Sequence, residues 1–104
     1  MRRNPPHLWL LKVHPDARRA FDSLPSNQKA GVFRRLRELL RADDPYSLSF
    51  VEMLKGKSFE RVRKFRTGNY RVFFVIQPGE VTDLKHTYKG KLFLIDIRDR
   101  KEAY

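Results

Sequence analysis

Apolar and polar positions along the chain fall into two kinds of repeat, a period of two over four stretches and a helical period over two others. His7 to Val13 predicts a first strand, with Trp9, Leu11 and Val13 on one side and Lys12 on the other. Pro15 is placed to open a helix in its first turn, and Ala17, Ala20, Phe21 and Leu24 then form one buried stripe. Pro25-Ser26 breaks that pattern, and Ser26 is the predicted cap of a second helix from about Asn27 to Arg41. Its apolar stripe is Val32, Phe33, Leu36, Leu39 and Leu40; Arg34, Arg35, Arg37 and Arg41 occupy the opposite face, which reads by default as a solvated one. Asp43-Asp44-Pro45 marks a loop, and Phe50 to Gly56 an extended approach that turns at Gly56. A second strand begins at about Phe59. Arg61 and Arg63 fall where core side chains are expected, which predicts a bulge near Val62 that turns Val62 and Phe59 inward. Gln77 to Gly90, with Pro78-Gly79, reads as a long exposed hairpin loop. Lys91 to Arg98 is the last strand, with Phe93, Ile95 and Ile97 on one side and Asp96 and Arg98 on the other. The order β-α-α-β-β-β predicts a single α+β domain over residues 1–104, an antiparallel sheet with a helical hairpin packed on one face.

The most informative stretch is Lys64 to Arg71, KFRTGNYR. Gly68-Asn69 between alternating runs predicts a two-residue turn with a positive φ at its first position. This fixes the register: Thr67 faces Tyr70, Arg66 faces Arg71, Phe65 faces Val72 and Lys64 faces Phe73. Phe65, Tyr70, Val72, Phe74 and Ile76 then share a core side, while Lys64, Arg66, Arg71, Phe73 and Val75 share the other. Directly opposed like charges cost a sheet about 0.2–1 kcal/mol. Arg66 against Arg71 is therefore expected to await an anion, and phosphate suits arginine forks best; three solvated cations are the simpler reading.

Composition sharpens this. Lys and Arg number 23 against 12 Asp and Glu, a net charge of +11 and a pI near 10.5, which implies a phosphate backbone or an acidic protein as partner. There is no cysteine, which excludes disulfide scaffolds, thiol nucleophiles and cysteine-ligated zinc. His7, His14 and His86 lack metal-ligand spacing, so no metal and no other cofactor is expected. The apolar run from Leu8 to Leu11 is too short for a signal peptide or a membrane span, and a cytoplasmic location is expected.

The runs KFRTGNYRVFFVI and IDIRDRKEAY resemble the RelE/ParE superfamily of toxins from type II toxin–antitoxin systems, whose members share a basic strand, a G-[D/N]-Y-R turn and a final basic element ending in tyrosine. The resemblance covers the whole element order and is sharpest over Leu54 to Arg71 and Leu94 to Tyr104. It implies a RelE-like, microbial-RNase-like fold and, for the RelE branch, a messenger RNA interferase that cuts within the ribosomal A site and is held inactive by an acidic antitoxin in a hetero-oligomer. Position by position, it puts Lys64 on a catalytic lysine, Arg71 on the arginine of the Tyr-Arg pair, Arg98 on the arginine of the last strand and Tyr104 on the terminal tyrosine. Glu52 matches a glutamate of the YoeB-like branch. A second RelE lysine falls at Val62, so one cation of the expected set is missing unless Arg61 or Arg63 replaces it. The ParE branch inhibits gyrase without cutting RNA, and a nucleic-acid-binding regulator with a decayed site is the third alternative.

Metal-free RNA cleavage needs a base for the 2′-hydroxyl proton, cations for the charge growing on the phosphate and an acid for the 5′-oxygen. Permanently charged Arg66, Arg71 and Arg98 suit the second task. A lysine crowded by arginines has its charged form disfavoured, which makes Lys64 a candidate proton acceptor alongside Tyr104 and Glu52. Arg61, Arg63, Arg66 and Arg100 are candidate RNA contacts, and Phe73 is a candidate to stack a base.

Overall fold

The computed structural model describes residues 6–54 and 61–100. Strand β1 (Leu10–Val13) leads into helices α1 (Pro15–Asp22) and α2 (Ser26–Arg41), a 3-10 turn at Pro45–Ser47, and strands β2 (Glu52–Met53), β3 (Val62–Thr67), β4 (Tyr70–Asp83) and β5 (His86–Asp99). All five strands join one sheet in the order β1-β5-β4-β3-β2, and the two helices cover one of its faces, the α+β arrangement that the pattern predicts. The sheet is mixed where an antiparallel one was expected, because β1 runs parallel to β5. Hairpin-linked neighbours must be antiparallel, whereas a strand that leaves through a helical crossover is free to lie parallel to a distant partner.

A proline marks the start of each helix, in two different ways. In α1, Pro15 occupies the first turn and His14 is the cap, its Nδ1 accepting the Asp16 N–H at 3.0 Å. Ala17 and Leu24 are buried. In α2 the cap is Pro25, whose carbonyl accepts from the N–H groups of Gln28 and Lys29. Ser26 is already helical and makes no capping bond, so the predicted Ser26 cap is not formed. Val32, Leu36 and Leu39 point into the core; Phe33 does not, remaining 58% exposed with its ring edge-on to Phe21 at 5.2 Å. From the sheet, Phe65, Val72, Phe74, Ile76, Leu92, Leu94 and Ile97 complete the core.

The β3–β4 register is the one expected, Thr67 opposite Tyr70 through Lys64 opposite Phe73, and Gly68 has φ +57°. It runs unbroken to Val62 opposite Val75, so there is no bulge near Val62. Arg63 faces the helix side instead, where its guanidinium lies 4.4 Å from the centre of the Tyr46 ring. An arginine can hold such a position because its stem packs and its charge stacks on an aromatic face. The predicted turn at Gly56 and the strand start at Phe59 lie outside the described residues.

The bulge is in β5. Phe73 pairs with Asp96 but Phe74 pairs with Leu94, which leaves Ile95 as an extra residue and inverts the alternation beyond it. Leu92 and Leu94 before the bulge and Ile97 after it are all buried against the helices. The predicted side Phe93-Ile95-Ile97 is therefore corrected: Phe93, opposite Val75, belongs to the open face.

Gln77 to Gly90 is not a loop. β4 and β5 stay paired, with an irregularity between Pro78 and Val81, out to Asp83 opposite His86. Leu84 and Lys85 form the turn with φ +48° and +68°, the geometry that asparagine and glycine favour. Leu84 is 85% exposed at the tip. A left-handed conformation costs an ordinary residue about 1–2 kcal/mol, so replacing Leu84-Lys85 by Asn-Gly is expected to raise the melting temperature by roughly 5 °C. An unchanged thermal melt would count against this turn.

The base of the ribbon is anchored. Trp9, 7% exposed, donates its N–H to Leu40 O at 3.0 Å and its Nε1–H to Ala42 O at 2.9 Å. Its ring rests on Gly90, where a Cβ would come within 2.7 Å of the indole and 2.3 Å of Gln77 O. Lys89 adds an ion pair to Asp43 at 3.0 Å and an N–H bond to Leu8 O at 2.9 Å.

Candidate active site

Directly opposed residues of neighbouring strands lie on one side of a sheet, so the register states what shares the face away from the helices. Arg66 is opposite Arg71, and Arg71 is opposite Arg98, a straight row of guanidinium side chains across β3, β4 and β5. Two residues further along the strands, Glu52, Lys64, Phe73 and Asp96 form a second row from β2 to β5. The next row is Val62, Val75, Phe93 and Lys12. The open face thus grades from cationic through mixed to apolar.

The outer members of the arginine row each meet a carboxylate of the second row. Arg66 Nε lies 3.4 Å from Glu52 Oε2, and Arg98 Nε donates to Asp96 Oδ2 at 2.7 Å. Asp96 is itself fixed, its other oxygen accepting the Ile97 N–H at 2.9 Å. The opposed arginines expected to await an external anion are therefore partly balanced from within. Between them, Arg71 and Lys64 have no Asp or Glu at ion-pair distance among the described residues. Glu52 stands directly across from Lys64, however, so Lys64 is not surrounded by cations alone, as its candidacy as a base assumed.

The structure brings together Lys64, Arg66, Arg71, Arg98 and Glu52. Phe73 shares their face but is only 5% exposed, which leaves it unable to stack a base from this position. Arg100 follows β5 and donates its N–H to Asn69 O at 2.7 Å, next to the hairpin turn at the cationic end. Arg61 is exposed just before β3, and its carbonyl accepts the Tyr46 hydroxyl. Arg63 stands on the helix side and is not part of this face. Tyr104 lies outside the described residues. No group of three or more His, Asp or Glu is placed to hold a metal among the described residues.

Two contributors escaped the sequence. Asp96 was placed on the side of Arg98, since residues two apart in a strand share a side, but its ion pair with that guanidinium was not drawn from it. Tyr46 was not singled out. Its hydroxyl donates to Arg61 O and accepts from the Ile76 N–H at 2.9 Å, tying the segment after α2 to β3 and β4.

No protein-family model and no curated protein matches the chain. Solved structures do. A chain of the archaeal RelE–RelB complex of Pyrococcus horikoshii superposes with a TM-score of 0.61 at 22% identity, covering 92% of this chain and 99% of that one. A chain of the toxin–antitoxin complex RelBE2 of Mycobacterium tuberculosis gives 0.53 at 17% identity, covering 89% and 99%.

Proposed function

We propose that this chain, which has the fold of RelE toxins, is the toxin of a type II toxin–antitoxin pair and acts as a ribosome-dependent messenger RNA endoribonuclease. The observation that carries the reading is the Arg66–Arg71–Arg98 row with Lys64 beside it, contributed by three strands to one open face. A face that only had to bind protein would not need guanidinium groups aligned across strands at the cost of mutual repulsion.

In the proposed reaction the ribose 2′-oxygen attacks the adjacent phosphorus, the bond to the 5′-oxygen breaks and a 2′,3′-cyclic phosphate remains. Arg71 holds the phosphate oxygens as charge accumulates, with Arg66 and Arg98 on either side. The 2′-hydroxyl proton goes to Lys64, Tyr104 or Glu52, and the leaving 5′-oxygen takes a proton from that protonated group or from water, so the step is proton-neutral. Of the three, Glu52 already has its carboxylate engaged by Arg66, which suits it to orienting that arginine. The antitoxin in this reading is an acidic chain that binds the +11 surface and forms a hetero-oligomer in the cytoplasm; the two structural neighbours are themselves from toxin–antitoxin complexes.

Primer extension on translated messages after induction tests the reading. Cuts at codon positions that disappear in Tyr104→Phe are expected. Intact messages accompanied by gyrase-linked DNA breaks would favour the ParE-like alternative, and neither outcome the regulator with a decayed site.

A further inference from the structure

We infer that Asp96 is a positioning residue for Arg98, and that the Ile95 bulge turns the pair onto the open face. The inference rests on the nuclease reading above and adds a residue to it. Without the extra residue, strict alternation from the buried Leu94 would send Asp96 and Arg98 to the helix side and Ile97 to the open one. With it, Ile97 is buried, Arg98 is set opposite Arg71, and Asp96 lands one row away opposite Phe73. Bulges recur beside active sites because they re-aim side chains in this way.

Asp96 is then held at both oxygens. Oδ1 accepts the Ile97 N–H at 2.9 Å, and Oδ2 accepts Arg98 Nε–H at 2.7 Å. The first bond locks the carboxylate to the backbone just after the bulge; the second fixes the guanidinium through its Nε edge. The grip at Nε fixes the plane in which the guanidinium lies. A fixed donor set facing a developing charge needs no reorganisation during the reaction, whereas a swinging arginine does. The arrangement mirrors Glu52 and Arg66 at the other end of the row, and Asp96 is in addition anchored to the main chain.

The test is cleavage by the full chain on ribosomes programmed with a defined message, measured at saturating and limiting ribosome concentration. Asp96→Ala and Asp96→Asn are expected to lower the maximal rate on the order of ten-fold, with the half-saturating concentration and the melting temperature unchanged. The two bonds fall on different oxygens of Asp96, and asparagine replaces one of these by an NH2 that cannot accept. Combined with Arg98→Ala, Asp96→Ala is expected to add nothing further. Wild-type rates in both variants, or losses that multiply with that of Arg98→Ala, would overturn the inference while the nuclease reading stands. If the unsubstituted chain cuts no message, the nuclease reading fails and the inference with it.

Discussion

Arg71→Ala is expected to reduce message cleavage about 10²–10³-fold, the loss typical of removing one preorganised donor from a developing oxyanion, without lowering the melting temperature. The expectation follows from where Arg71 stands. It is the middle of the guanidinium row, opposed on both sides by arginine, and no carboxylate balances it among the described residues. A phosphate arriving on this face therefore meets an uncompensated guanidinium there, with the Lys64 ammonium one row away. Truncation also relieves two opposed like-charge pairs, each unfavourable by roughly 0.2–1 kcal/mol, so the fold is expected to be as stable or slightly more so. Arg71→Lys keeps the charge but loses the two-pronged fork and is expected to recover only part of the rate. Single-turnover cleavage and thermal melts on the same preparations check both halves. A loss below ten-fold would mean that Arg71 does not hold the scissile phosphate.

Phe74→Ala is expected to have the opposite profile, a loss of about 3–5 kcal/mol of stability. Phe74 is fully buried, pairs with Arg63 on one side and Leu94 on the other, and sits 6.2 Å from the Phe65 ring and 5.9 Å from that of Tyr46. These neighbours are strand residues and a braced tyrosine, which cannot collapse into the space left behind. Domains of this size are stable by only about 5–15 kcal/mol, so the variant should unfold at far lower urea. A shift under about 1 kcal/mol would show that the core is not centred on this ring.

The contrast between these two positions also indicates what the amino-acid order reveals. Gly68 announces its hairpin because few residues accept its φ, and once that turn is set the Arg66–Arg71 opposition follows by counting. The helices announce themselves through Ala17, Leu24, Val32, Leu36 and Leu39 at helical spacing. The bulge at Ile95 does not, because LFLIDI is apolar at both parities and either phase would bury hydrophobic side chains. Leu84-Lys85 conceals a tight turn in residues that ordinarily avoid it, while Pro78-Gly79 suggests one where the ribbon merely kinks. Neither the parallel pairing of β1 nor the contact between Glu52 and Arg66 is a local property; both depend on segments that meet only after the sheet has assembled. Local chemistry and the β3–β4 register were readable; the phase of β5 and the long-range partners were not.

The anchoring of Trp9 has a practical consequence. It is the only tryptophan in the chain, and it touches the end of α2 through two hydrogen bonds and the foot of the ribbon through Gly90. Its intrinsic fluorescence therefore reports, without any label, on whether strand, helix and ribbon separate together. Emission and circular dichroism followed side by side would reveal whether the ribbon melts as part of the body or ahead of it.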